Sequence, residues 1–152
     1  MDPLSIAASA AGLATGCTKI VKVLYTWVDD TIDVDENVTA LCEEVAALAR
    51  FLESLSKASA TPPRVVIAEI DPDESLWITV KATLGDIKTT VDKLSHLLAD
   101  VQNSSSIFSK GFLRKPSKQI KLSFRLKDIA LYRDRIKSYS SAVITALQMI
   151  NV

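Results

Sequence analysis

The chain has 152 residues, with 18 lysines and arginines against 18 aspartates and glutamates, 48% hydrophobic residues and 24% charged ones. This is ordinary globular usage, which excludes a disordered chain, and the zero net charge gives no whole-chain case for nucleic acid. Four glycines and five prolines are too few for a β-sandwich or barrel, which needs turn residues about every 8–12 positions, so the composition points to long helices.

A first helix is expected over about residues 3–28. Asp2 can cap it, and Pro3 suits a first turn, where no intrahelical donor is lost. Leu13, Cys17, Ile20, Leu24 and Trp27 recur at steps of three and four, which makes one apolar stripe. The stretch from Pro3 to Thr18 differs, because it carries no charge and small or apolar residues cover every side. The acidic turn Asp29-Asp30-Thr31-Ile32-Asp33 breaks the pattern.

The second helix is expected over about 35–57. Val38, Leu41, Val45, Leu48, Leu52 and Leu55 keep the three-four rhythm, and Asp35 and Glu36 suit the positive end of the helix dipole. Ser59-Ala60-Thr61-Pro62-Pro63 stops it. Arg64 to Ile70 holds a short β-branched run, Val65-Val66-Ile67, with no second strand to pair with, and reads as a packed loop or short helical turn.

Asp71-Pro72-Asp73-Glu74 opens the third helix with a cap, a first-turn proline and two first-turn acids. It extends to about 102, with Trp77, Val80, Leu84, Ile87, Val91, Leu94, Leu98 and Val101 on one stripe. After Asn103-Ser104-Ser105-Ser106 and a basic connection, a fourth helix is expected over about 117–150, carrying Leu122, Leu126, Ile129, Tyr132, Ile136, Tyr139, Val143, Leu147 and Ile150. Four long helices joined by fairly short breaks define an all-α fold, an antiparallel four-helix bundle in a single domain over 1–152. The end of the chain close to its last core residue suggests either a minimal protein or a domain of a longer one.

No motif for catalysis stands out. His96 is alone on its helix, without the cysteines or acids a metal site needs. Phosphate loops, a nucleophile elbow, CxxC and HExxH are all missing from the sequence. Glu43 and Glu44 lack a histidine at di-iron spacing and read as a solvated face. Cys17 and Cys42 are too few for a disulfide scaffold and lie among apolar neighbours, as buried thiols of a reducing cytoplasm do. The expectation is a non-enzymatic domain with no cofactor and no metal.

Charge is unevenly placed. Asp29 to Glu53 holds eight acids and one base, whereas Lys110 to Lys137 holds ten bases and two acids. Pairing between the helices is the commonest use of such polarity. The basic segment Lys110, Arg114, Lys115, Lys118, Lys121, Arg125 and Lys127 also suits anionic lipid headgroups, at roughly 1 kcal/mol for each cation near such a surface. No nucleic-acid reader motif accompanies it, so nucleic acid is not the expected partner.

The amino-terminal segment is the unusual feature. Ala8, Gly12 and Gly16 recur every fourth residue on one helix face, a pattern that lets helix backbones approach closely and is common between membrane helices. The uncharged run of 16 residues would reach about 24 Å, short of the ~30 Å hydrocarbon core. It can insert partly or cross with local thinning. Alternatively, its glycines serve close packing inside the bundle.

Met1-Asp2-Pro3-Leu4-Ser5-Ile6-Ala7-Ala8-Ser9-Ala10-Ala11-Gly12-Leu13 resembles the opening of fungal HeLo-like domains, found at the amino terminus of fungal STAND proteins, the NOD-like receptor analogues. The hydrophobic helix, the acidic turn at Asp29-Asp30 and the leucine-rich helix with Leu48 to Leu55 are similar too, so the likeness covers about the first 58 residues. It implies a cell-death execution or signalling domain, associated with heterokaryon incompatibility, in which an activated bundle exposes its first helix, oligomerises and permeabilises the membrane. Carried over by position, the membrane-targeting element is Leu4, Ile6, Ala8, Gly12, Leu13 and Gly16. The basic residues from Lys110 to Lys127 are an expected lipid contact on charge alone. No nucleotide-binding motif and no amyloid-forming tail is recognisable, so the chain corresponds to an effector domain with a nucleotide-binding receptor region expected downstream. Its expected location is the cytoplasm, with recruitment to the plasma membrane. A helical docking or self-association module without membrane activity is the alternative.

Overall fold

The computed structural model describes residues 3–30, 36–60, 75–103 and 116–150, with side chains described for 4–26, 36–60, 75–100 and 128–149. Four helices account for these residues: α1 (Pro3–Asp30), α2 (Glu36–Ala60), α3 (Ser75–Asn103) and α4 (Pro116–Ile150). They pack against one another as an all-α bundle, as the apolar periodicity requires.

The boundaries shift slightly from the sequence expectation. α1 continues through Asp29 and Asp30, and α2 continues through Ser59 to Ala60. Both extensions are single turns that Asp, Ser and Ala allow, since none of them blocks a helix as proline does. The segment 64–70 and the expected α3 start at 71–74 lie outside the described residues.

Where their side chains are described, the stripes read from the sequence form the core or pack half-buried against it. Val38, Leu41, Val45, Leu48, Leu52 and Leu55 of α2 are all buried, and so are Trp77, Val80, Leu84, Ile87, Val91, Leu94 and Leu98 of α3. Each fully buried leucine, isoleucine or valine contributes about 1.5–3 kcal/mol of apolar burial, so these two helices are held by their interiors. Their surfaces add little. The pairs Lys57–Glu53 at 3.5 Å and Lys88–Asp92 at 3.0 Å both run along one exposed helix face, where such pairs are worth about 0.3–0.5 kcal/mol.

Helix neighbours follow from specific contacts. Ser56 of α2 donates to the carbonyl of Ala7 on α1 at 2.8 Å, so these helices run antiparallel. A Cβ on Gly16 of α1 would lie 3.5 Å from Val91 Cγ1 of α3. The same groove joins Ser5 to Lys81 at one end and Gly16 to Asp92 at the other, so α1 and α3 run parallel. Thr90 and Tyr139 share a 2.9 Å hydrogen bond between α3 and α4. Arg133 of α4 reaches Asn37 at the start of α2 at 3.3 Å, while Ile144 and Leu147 lie by Phe51 and Ala58 near its end, which makes α2 and α4 parallel. Direction therefore alternates along the chain. Each helix nonetheless has one antiparallel and one parallel neighbour, because the main packings are α1 with α2 and α3, and α4 with α2 and α3.

Candidate functional site

α1 is built unequally along its length. Ile6, Ala7, Ala10, Cys17, Ile20 and Leu24 face the core and are buried. In the amino-terminal half the fully buried side chains are Ile6 and two alanines, with Leu13 and Ala14 half-buried against the same core. Burial of Ile6, Ala7 and Ala10 alone contributes about 3–5 kcal/mol, taking roughly 0.8 kcal/mol per methyl or methylene. The opposite face is uncharged and open: Leu4 is 61% exposed, and Ala8, Ala11 and Gly12 are exposed too.

The segment Leu4–Thr26, with a mean hydropathy of 1.4, is long and apolar enough to cross a membrane by length and composition, and 28% of its most apolar window is buried. The core helix of a water-soluble protein can meet the same criterion, so the buried share matters. The sequence expectation of too short a run counted only residues without charge. Admitting Lys19 and Lys22 near the far end lengthens the stretch to 23 residues, and lysine heads at such positions reach the interface on their apolar stems.

Three hydroxyls on α1 are satisfied within the helix. Thr15, Thr18 and Thr26 donate to the carbonyls of Ala11, Ala14 and Lys22 at 3.1, 2.9 and 3.0 Å. A hydroxyl bonded to the carbonyl four residues back keeps its partner when the helix moves into an apolar medium.

The small-residue face lies along a groove of about 710 Å³ between α1 and α3. Of the six residues assigned to the membrane element, Ile6, Gly12, Leu13 and Gly16 line this groove, whereas Leu4 and Ala8 face outward. The glycines are not clamped. A Cβ at Gly12, or at Gly85 across the groove, would meet nothing within 4 Å. Close packing inside the bundle is therefore not what these glycines serve at Gly12, and at Gly16 the contact with Val91 is ordinary van der Waals distance.

Sequence reasoning missed the opposite wall: Lys81, Gly85, Lys88 and Asp92 of α3. Their i, i+4, i+7 and i+11 spacing puts them on one face and was visible. That this face meets α1 was not. A smaller apolar cavity of about 210 Å³ between α3 and α4, closed by Leu55 of α2 and walled by Val80, Leu84 and Val143, was also missed.

His96 is exposed, and among the described residues no cluster of three or more His, Cys, Asp or Glu is placed to hold a metal ion. Cys17 and Cys42 are free and buried. Burial pushes the Cys17 thiol up to about 12, and burial followed by the negative charge of Glu43 raises that of Cys42. Neither is a ready nucleophile at neutral pH. Of the basic segment, Lys110, Arg114 and Lys115 lie outside the described residues, while Lys118, Lys121, Arg125 and Lys127 fall on α4 by backbone position with side chains outside the description.

These features define a helical bundle domain with one apolar, partly uncovered leading helix. The chain belongs to the family described as pigment biosynthesis cluster protein PigL N-terminal, whose model matches residues 1–152. Membership agrees with an amino-terminal helical domain and does not of itself give the HeLo-like, STAND-receptor assignment. No curated protein matches the chain, and no solved structure does.

Proposed function

We propose that this domain executes or relays cell death, with α1 as a latent membrane element, as the resemblance of Met1–Leu13 to fungal HeLo-like domains implies. One observation carries the proposal: Leu4–Thr26 meets the length and hydropathy of a membrane helix while only 28% of its most apolar window is buried. The internally bonded threonines and the light anchoring of the amino-terminal half support it.

The mechanism is a switch between two packings. At rest, Ile6, Ala10, Ile20 and Leu24 keep α1 on the bundle in the cytoplasm. Clustering by a downstream receptor region raises the local concentration of copies and favours a state in which α1 leaves, meets other copies and enters the plasma membrane. A ligand or partner shifts such an equilibrium only by its differential affinity for the two states, and about 5.5 kcal/mol takes it from 1:99 to 99:1. Burial of Ile6, Ala7 and Ala10 supplies about 3–5 kcal/mol of what must be offset, and full release of α1 uncovers Cys17, Ile20 and Leu24 as well. Lys118, Lys121, Arg125 and Lys127 would meet anionic headgroups, with binding weakened by salt.

Vesicles of phosphatidylcholine with phosphatidylserine, loaded with a self-quenched dye, test the proposal. The domain fused to an inducible dimeriser should release dye on clustering, and little without it. Silence under forced clustering, with amide exchange of 4–16 uniformly protected and unaffected by vesicles, sinks the membrane reading and leaves the docking module.

A further inference from the structure

The groove between α1 and α3 has a shape and charge of its own, whether or not α1 ever leaves. It closes at Gly16, where the helices touch through Val91, and widens toward Gly12 and Gly85, where neither glycine faces an atom within 4 Å of an added Cβ. Its floor is Ile6, Leu13, Leu84 and Val91. Its volume of about 710 Å³ falls within the roughly 300–1,000 Å³ of ligand sites lined mainly by apolar groups with a few polar ones. From Ser5 to Gly16 it runs about 16 Å along α1 at 1.5 Å per residue.

Its charge is at one end. Lys88 is engaged by Asp92 at 3.0 Å near the closed part. Lys81, which lines the groove on α3 as Ser5 does on α1, has no ionic partner among the described residues.

We propose that this groove binds a single-chain fatty acid, with its carboxylate at Lys81 and the Ser5 hydroxyl and its chain running over Gly12 and Gly85 toward Val91. Apolar length and a single terminal cation match an anionic amphiphile and not a neutral or cationic one. A helix from a second copy is a poorer fit, because it is about 10–12 Å across with its side chains and the two walls already touch at Gly16.

Calorimetric titration of the whole chain with dodecanoate, kept below its micellar concentration, tests the site. Saturable one-to-one binding is expected, with dodecyltrimethylammonium binding at least about fivefold more weakly. Lys81→Glu should weaken dodecanoate by about fivefold and leave the thermal melt unchanged. Gly12→Leu with Gly85→Leu should fill the groove and abolish binding, and both side chains start into open space. The proposal fails if dodecanoate does not saturate, if the cationic analogue binds equally, or if neither variant alters affinity. It also fails if sedimentation shows a dimer that the double leucine variant dissolves while dodecanoate does not bind, which would give the groove to a second copy.

Discussion

Ser56 Oγ on α2 donates a 2.8 Å hydrogen bond to the backbone carbonyl of Ala7 on α1, 49 residues away. That carbonyl sits inside a helix, so it has a backbone partner as well. The side-chain bond is a tie between helices laid over the lightly buried first half of α1.

Ser56→Ala removes this tie without leaving Ala7 unsatisfied. Unfolding in urea should show a loss of about 0.5–1.5 kcal/mol, the net worth of a neutral hydrogen bond. Amide exchange should rise more in 4–16 than in α2, since the tie restrains the end of α1 and α2 keeps its leucine core. An equal rise across both helices would mean that the bond does not hold α1 in particular.

Thr90 and Tyr139 join α3 to α4, and Thr90 is only 2% exposed. Tyr139→Phe leaves the Thr90 hydroxyl buried without its partner, at a cost of about 1–3 kcal/mol. Thr90→Val in the same chain removes the stranded group, so the double variant should be more stable than Tyr139→Phe alone. A double-mutant cycle by thermal or urea unfolding measures the coupling. Strict additivity would show that the two hydroxyls do not share a bond in solution.

Much of this bundle was legible because it rests on apolar spacing. All six stripe residues of α2 predicted from the sequence are buried, and so are Trp77 through Leu98 on α3. Spacing says which face is buried and not which helix covers it. Chain order and short connections favour α2 beside α3, yet the main packings put α3 against α1 and α4. That the face of Lys81, Gly85 and Lys88 lies opposite α1 is not legible in the sequence for that reason. Spacing alone also leaves Gly12 open between close approach and open space, and only the position of its neighbour tells which: within the bundle it faces open space. Ile6, Gly12, Leu13 and Gly16 were named from pattern and resemblance, and the groove brings them together.

The Cys17 thiol makes stability depend on alkaline pH. Burial pushes its pKa up from 9.0 to about 12. Between these values the unfolded chain has lost the thiol proton and the folded chain has kept it, so the folded state binds more protons and stability falls as pH rises. The contribution is intact below pH 9.0 and is lost progressively up to about pH 12, with a slope of up to about 1.4 kcal/mol per pH unit. Urea unfolding of the wild type and of Cys17→Ala should diverge in slope over this window. Parallel pH profiles would mean that Cys17 ionises as readily in the fold as in the open chain. In the native protein at pH 8, alkylating reagents should leave Cys17 unmodified until urea is added.

Gly12 and Gly85 line the same groove, a Cβ on either would meet nothing within 4 Å, and neither has a positive φ. Glycine then brings only its entropic disadvantage in a helix. Gly12→Ala and Gly85→Ala should each stabilise the fold by about 0.5–1 kcal/mol, or raise the melting temperature by roughly 1–4 °C in a domain of this size. Gly16→Ala should be tolerated as well, with its new methyl at ordinary contact distance, 3.5 Å, from Val91 Cγ1. The sign of the change is the informative part. A helix pair that needed glycine for close approach would lose stability at Gly12, because an added methyl would push backbones apart. Destabilisation by Gly12→Ala, measured by calorimetric melting, would therefore show that α1 and α3 close on each other in solution, and the groove between them would be no binding site.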